Sequence, residues 1–210
     1  MAAGAKAEIS TAEVVSAGEA ISPFILPPFS PDIRVRLTEY SMHRILSLKD
    51  DSIQDHMDRG VQFGHVIELG DDRLLQLKGL PGEVAISTNP DELFLPNSNN
   101  KTLEEQLRIV EEQTRKVQAM LESDSIEAFL LDAPTLVNLA SRHQEVTERP
   151  LVSKFHSNCI ARTSTEMREG RAIDISGFQA KDGLMISDWP VGSGHSNIHV
   201  VLAYRPTNSS

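Results

Sequence analysis

The clearest pattern of apolar and polar positions lies between Thr102 and Glu122. Apolar or small side chains recur there at alternating steps of four and three residues, which places one narrow stripe on a helix. Thr102 and Glu105 fit the S/T-x-x-E capping pattern at the start of this segment. The pattern therefore predicts a helix over 102–122 with a stripe of Leu103, Leu107, Val110, Thr114, Val117 and Leu121.

Alternation of apolar and polar residues predicts β-strands on both sides of this helix. Before it, we expect a half-buried strand at 33–37, a hairpin over 61–78 and a short strand at 83–87. The strands predicted after the helix span 171–178, 184–189 and 198–204. The last of these has apolar residues at both sets of positions, so it should lie inside a sheet and not at its edge.

A second helical region should follow the first, over 125–146. Pro134 lies inside it, and we expect a short turn of helix before the proline and a longer piece from 134 to 143. These elements predict a single α+β domain over 32–210, an antiparallel β-rich core with a two- or three-helix insert at about 102–146. Its predicted divisions are β 32–88, linker 89–101, helices 102–146 and β 150–206.

Residues 1–31 predict a flexible, proline-rich N-terminal arm. Prolines at 23, 27, 28 and 31 favour extended backbone and exclude a regular helix. Its interleaved apolar residues could lie across the chain's own core or dock in a partner's aromatic groove. The 102–122 stripe has two similar interpretations, packing on the chain's own sheet or forming a coiled-coil seam between subunits. The candidate interaction residues are Phe24, Ile25, Leu26, Phe29, Leu103, Leu107, Val110, Val117 and Leu121.

Charge and cysteine content narrow the classes of function. Twenty basic residues against thirty acidic ones give a net charge of −10, which disfavours nucleic-acid binding. The local exception is the basic concentration at Arg34 and Arg36, which could meet a phosphate or an acidic partner. Cys159 is the single cysteine, so neither an intrachain disulfide nor a cysteine-based zinc site is expected. No signal peptide or membrane span is evident, which favours a cytoplasmic or otherwise intracellular protein.

The segment 188–199 holds the most suggestive group of reactive side chains. Ser193, His195 and Asp188 are the types that a nucleophile, a base and an orienting acid require. His195, His199 and Asp188, with Asp174 as a further candidate, could instead bind a metal ion. The glycines around Ser193 do not form the G-x-S-x-G elbow, so a plain loop between two strands is the competing interpretation.

Together these patterns favour a non-enzymatic structural or assembly protein over an enzyme. It would act through self-association or protein docking, with itself or another protein as partner and no cofactor. A short extended arm ahead of a β-rich body resembles, in layout alone, coat and matrix proteins of viruses. The alternative is a small hydrolase or metal-dependent enzyme that uses the loop from Asp188 to His199.

Overall fold

The structure is a computed structural model that describes residues 25–40, 43–67, 72–152, 158–178 and 183–207. Nine strands in this part of the chain form two sheets. Sheet I is antiparallel throughout, and its strands in spatial order are β1 (His43–Leu48), β3 (Gly82–Ser87), β9 (Ala203–Pro206) and β4 (Ile126–Phe129).

Sheet II is mixed, with antiparallel pairs at its centre and a parallel pair at each edge. Its strands in spatial order are β2 (Phe63–Val66), β7 (Leu184–Pro190), β6 (Arg171–Ser176), β5 (Ile160–Arg168) and β8 (Ile198–His199).

Five α-helices are interspersed among these strands in the described ranges. A π-helical turn, Arg36–Tyr40, follows the first, and a 3-10 turn, Pro90–Glu92, precedes the fourth. None of these helices combines the length and the apolar character needed to cross a bilayer. The helices are α1 (Pro31–Val35), α2 (Ile53–Asp58), α3 (Arg73–Gln76), α4 (Leu103–Leu121) and α5 (Ala133–Thr147). The α+β class predicted from the sequence is thereby confirmed.

Helix α4 covers the outer face of sheet I. Both halves of its capping box are present, since Thr102 Oγ1 accepts from the Glu105 N–H at 3.2 Å and a Glu105 carboxylate oxygen accepts from the Thr102 N–H at 2.8 Å. Glu122, with φ of 49°, ends the helix in the left-handed region. Its buried stripe joins Phe29 of the arm, Ile33 of α1 and Leu37 of the π-helical turn in one apolar cluster on this face.

Helix α5 lies between the two sheets and fills the main core. Every residue from Ala133 to Ala140 is buried, among apolar side chains of both sheets. Pro134 lies in the first turn, where a missing N–H costs nothing, and the Asp132 side chain caps the Thr135 N–H at 2.7 Å. The short helix predicted before Pro134 is wrong, because residues 126–129 pair with β9 as strand β4.

The strand predicted at 33–37 is also wrong, since this segment forms α1 and the start of the π-helical turn. Ser30 caps the helix through the Ile33 N–H at 3.3 Å, and Pro31 occupies its first turn. Ile33 and Leu37 are buried whereas Val35, which a strand would place beside them, is 43% exposed. Positions 33 and 37 share a face in either structure, so the alternation was ambiguous.

The predicted hairpin over 61–78 and the predicted final strand differ from the structure as well. β2 pairs in parallel with β7, and residues 73–76 form helix α3 instead of a returning strand. The turn was predicted at 70–72, and residues 70 and 71 lie outside the described residues. The final strand is divided between β8 in sheet II and β9 inside sheet I. The predicted linker at 89–101 packs into the core through Leu93, Phe94 and Leu95.

Candidate functional site

The loop between β7 and β8 packs on the segment that precedes α4. The Leu103 N–H donates to the Val191 carbonyl at 2.8 Å, and the Asn100 N–H donates to the His195 carbonyl at 3.0 Å. Gly194 lies so close to Asn100 that a Cβ atom here would be 2.4 Å from the Asn100 carbonyl carbon. The loop that carries the reactive side chains is therefore held by the chain's own backbone.

Ser193, His195 and Asp188 each have separate contacts. Asp188 lies on β7, and its Oδ1 accepts from Arg171 Nη2 at 2.7 Å. The His195 ring stands edge-on to Trp189 with ring centroids 5.2 Å apart. Ser193 is exposed, and in the described part of the chain no hydrogen bond joins any two of Ser193, His195 and Asp188. The hydrogen-bonded chain that a catalytic triad requires is not formed there.

The alternative metal ligands have separate environments too. The His199 ring packs near Phe94, with centroids 5.3 Å apart, whereas the His195 ring contacts Trp189. Over the residues that the structure describes, no group of three or more His, Cys, Asp or Glu side chains could hold a metal ion.

A buried pair of opposite charges lies beneath the loop, Arg162 on β5 and Asp174 on β6. The two residues are directly opposite in the strand register, and their side chains are 0% and 2% exposed. Arg162 Nη2 donates to the Ser193 carbonyl at 3.1 Å, and Nη1 donates to the Lys101 carbonyl at 3.5 Å. Arg162 therefore links the loop to the segment before α4.

Asp174 is the less well satisfied member of this pair. Its Oδ1 lies 3.7 Å from Arg162 Nε and makes no hydrogen bond within the described residues. Burial raises the pKa of the Asp174 carboxyl to about 7, and the attraction of the Arg162 guanidinium offsets only part of that rise. Asp174 is connected to the loop through Arg162, which contacts both. The Asp174 carboxylate makes no hydrogen bond with Ser193 or His195 in the described chain.

Sequence reasoning named Asp174 but missed Arg162. The nine residues of β5 include buried Arg162, Thr163 and Thr165, so they show no apolar alternation that would mark a strand. The sequence shows only one arginine and, further along, one aspartate, and the strand register alone makes them neighbours.

The candidate interaction residues of the arm are partly in the core. Leu26 and Phe29 are buried, and the Leu26 N–H donates to the Pro81 carbonyl at 2.9 Å. Ile25 is 65% exposed, while Phe24 lies outside the described residues. Of the predicted arm at 1–31, the part that the structure describes thus packs on the domain, as expected if these apolar residues cover the chain's own core.

Four of the five candidate interaction residues of α4 face sheet I. Leu107 is 41% exposed, and the other four, Leu103, Val110, Val117 and Leu121, are buried. This arrangement matches a helix that packs on its own sheet.

The local basic concentration is neutralised within the chain. Arg34 forms an ion pair with Glu83, and Arg36 Nε lies 3.0 Å from Asp32 Oδ2. Arg36 also donates to the Leu121 carbonyl at the end of α4. Both guanidinium groups therefore have internal partners that a phosphate would have to displace.

The free edge of β4 is closed by side chains of α4. Thr114 Oγ1 accepts from the Ala128 N–H at 2.9 Å and lies 3.1 Å from the Ala128 carbonyl oxygen, to which it can donate. Gln118 Nε2 donates to the Ile126 carbonyl at 2.9 Å. These three outward backbone groups of β4 are thus occupied, which opposes the addition of another strand.

The edge of β1, unlike that of β4, is not closed by side chains in the described chain. β1 pairs with β3 over six residues without a register shift, and in the described chain the backbone from Arg44 to Leu48 makes no hydrogen bond outside this pairing. In sheet II, β8 is two residues long, and β2 has four residues with a register shift between Phe63 and His65. β1 is therefore the longest regular edge strand of the two described sheets.

We expect His195→Ala to lower the free energy of unfolding by about 1 kcal/mol, because it removes the aromatic contact with Trp189. His195 Nδ1 also accepts from the Asn197 N–H at 3.2 Å, so the loop should loosen locally. Urea unfolding measures the change, with His65→Ala on the exposed face of β2 as control. An unchanged midpoint for His195→Ala would show that the Trp189 contact contributes nothing to stability.

No known protein family, curated protein or solved structure matches this chain.

Proposed function

We propose that this chain is a non-catalytic assembly protein that associates with a second copy of itself through β1. The observation that carries the proposal is the contrast between edges: α4 seals β4, β8 is short, and β2 is short and irregular, whereas β1 is long and regular. Natural sheets use such devices to prevent strand addition, so an edge that is neither sealed by side chains, nor short, nor irregular is open to it.

Two copies of β1 can pair antiparallel about a two-fold axis, which makes the interface self-complementary. In the register that sets Ile45 against the same residue of the second copy, Arg44 faces Leu46 and His43 faces Ser47. No like charges are then directly opposed, which favours the pairing. Each chain carries a net charge of −10, so added salt should strengthen the association by screening the repulsion between copies.

The test replaces Ser47, the exposed residue of β1, with lysine, which would place a cation opposite His43 of the second copy. We expect the dissociation constant of the dimer to rise about tenfold or more, because charge on an edge strand opposes pairing. Light scattering after size exclusion, over a range of concentrations, measures it. Ser164→Lys is the matched control, since Ser164 is an exposed serine on β5 of sheet II, and its N–H already donates to the Leu131 carbonyl at 2.9 Å.

Two outcomes would contradict the proposal. One is a wild-type chain that stays monomeric at every concentration and salt level. The other is a Ser47→Lys chain that associates as tightly as wild type and the Ser164→Lys control.

A further inference from the structure

Two clefts adjoin along the surface of α5. The wider one has a volume of about 600 Å³ and the narrower one about 430 Å³. Both are lined by Arg59, Ser141 and Glu145, so they meet at these three residues. We call the two together the double cleft. Volumes of this size suit a ligand such as a short peptide.

Arg59 lies where the two clefts meet, and one nitrogen of its guanidinium group is hydrogen-bonded within the chain. Its Nη2 donates to Asp51 Oδ2 at 2.7 Å and to His56 Nδ1 at 3.1 Å. His56 is buried, and its other ring nitrogen, Nε2, bonds to the amide oxygen of Asn138. That bond requires a hydrogen on Nε2, which leaves Nδ1 free to accept from Arg59.

The rest of the Arg59 guanidinium is available to a ligand. Its Nη1 and Nε make no hydrogen bond in the part of the chain that the structure describes, and the side chain is 48% exposed. Arg59 therefore presents donors in a fixed orientation, which is the geometry that recognises a carboxylate. Glu145, the acid beside it, is already paired with Arg142 at 2.9 Å.

The lining of the double cleft indicates what the carboxylate should be attached to. The narrower cleft has three cations, Lys49, Arg59 and Arg142, against two acids, Asp51 and Glu145, which suits one negative charge better than two. Gln62, Gln144 and Ser141 offer amide and hydroxyl groups that match a peptide backbone. The apolar wall of the wider cleft consists of Val61, Ala140, Pro150, Leu151, Phe178 and Leu184.

We infer that the double cleft binds the carboxyl terminus of a peptide that ends in an apolar residue. The terminal carboxylate lies on Arg59, and the last side chain packs against the apolar wall. This site goes beyond the proposed association through β1, because it requires no strand pairing and takes a different ligand group. The two surfaces adjoin at Ser47, Leu48 and Lys49, which line the narrower cleft.

The test is isothermal titration of the full chain with an N-acetylated tetrapeptide ending in leucine, as the free acid and as the terminal amide. We expect the acid to bind about tenfold or more tightly than the amide, the effect of one charge-assisted pair. Arg59→Gln should abolish that preference, and Arg59→Lys, which keeps the charge but loses the planar fork, should retain part of it. Arg108→Gln, an exposed and ion-paired arginine on α4, is the matched control.

Equal binding of acid and amide, or binding of neither, would overturn the inference. An Arg59→Gln chain that remains folded and keeps the wild-type preference would also overturn it. An acid preference that persists at chain concentrations where the chain is monomeric would separate this site from the association through β1.

Discussion

Asp174→Asn is expected to raise the free energy of unfolding at pH 8 by about 3 kcal/mol. Removing one member of a buried ion pair usually destabilises a protein, so the expected sign is unusual. It follows from the geometry of this pair: Arg162 has two carbonyl acceptors, whereas Asp174 lies 3.7 Å from Arg162 Nε and its Oδ1 has no hydrogen bond in the described chain. The carboxylate loses its water without adequate replacement, and asparagine removes that cost.

The pH dependence of stability also predicts that Asp174→Asn raises the free energy of unfolding at pH 8. The pKa of Asp174 is about 7 in the folded chain against an ordinary value of 3.8, so the folded state holds the proton more tightly than the unfolded state does. The stabilisation from this proton is complete below the unfolded pKa and is lost as the pH rises through 7. The difference between Asp174→Asn and wild type should therefore shrink by about 2 kcal/mol between pH 8 and pH 5.

Asp188→Asn is the matched control for this experiment. Asp188 is also largely buried and lies on the neighbouring strand β7, but its Oδ1 has a direct bond to Arg171 at 2.7 Å. We expect its replacement to lower the free energy of unfolding by about 1–2 kcal/mol. Urea unfolding at several pH values measures both variants. If Asp174→Asn destabilises the chain at pH 8 as Asp188→Asn does, the Arg162 pair is net stabilising and the expectation is wrong.

The local pattern of apolar residues was sufficient to predict an element where one periodicity fitted a long segment. The α4 helix was predicted closely, because its stripe, its capping box and its ion pairs all indicate the same structure. At 33–37 the apolar residues fitted both a strand and a helix. The helix is favoured by Ser30 and Pro31, which lie before the segment and start the helix. β1 and β5 were missed because their pairing with distant strands, and not their own alternation, makes them strands.

The candidate sites depend still more on distant contacts. Asp188, Ser193 and His195 are close in sequence, yet their side chains take separate partners. Arg59 and Asn138 are far apart in sequence, and the packing of α2 on α5 brings them to one network. No spacing along the chain carries that information, because it exists only once helix α5 is enclosed between the sheets.

Asn138→Ala is expected to lower the free energy of unfolding by about 3 kcal/mol, because it leaves buried polar groups without partners. Asn138 is buried, and its Nδ2 donates to the Lys49 carbonyl at 3.1 Å and to the Asp51 carbonyl at 3.0 Å. Its Oδ1 accepts from His56 Nε2. The Asp51 carbonyl keeps a bond from the Gly79 N–H at 3.1 Å. The destabilisation therefore comes from the Lys49 carbonyl and the His56 N–H, which lose their partner in the variant.

Two further variants separate this network from general damage to α5. Ser141→Ala, one turn along the same helix, should change the free energy of unfolding by less than about 0.5 kcal/mol. His56→Leu with Asn138→Ala should cost less than the sum of the single changes, because the unpaired N–H is removed as well. Strict additivity of the two single changes would show that the His56 bond contributes nothing beyond packing.

Asn138 should also act on the double cleft, through the orientation of Arg59. It fixes His56, whose Nδ1 helps to orient Arg59, so Asn138→Ala frees the guanidinium to rotate away from the junction. We expect the folded Asn138→Ala chain, measured at low temperature, to bind the free-acid peptide several-fold more weakly, with the binding of the amide unchanged. A purely structural role would weaken acid and amide alike. Unchanged binding of the acid would mean that Asp51 alone orients Arg59.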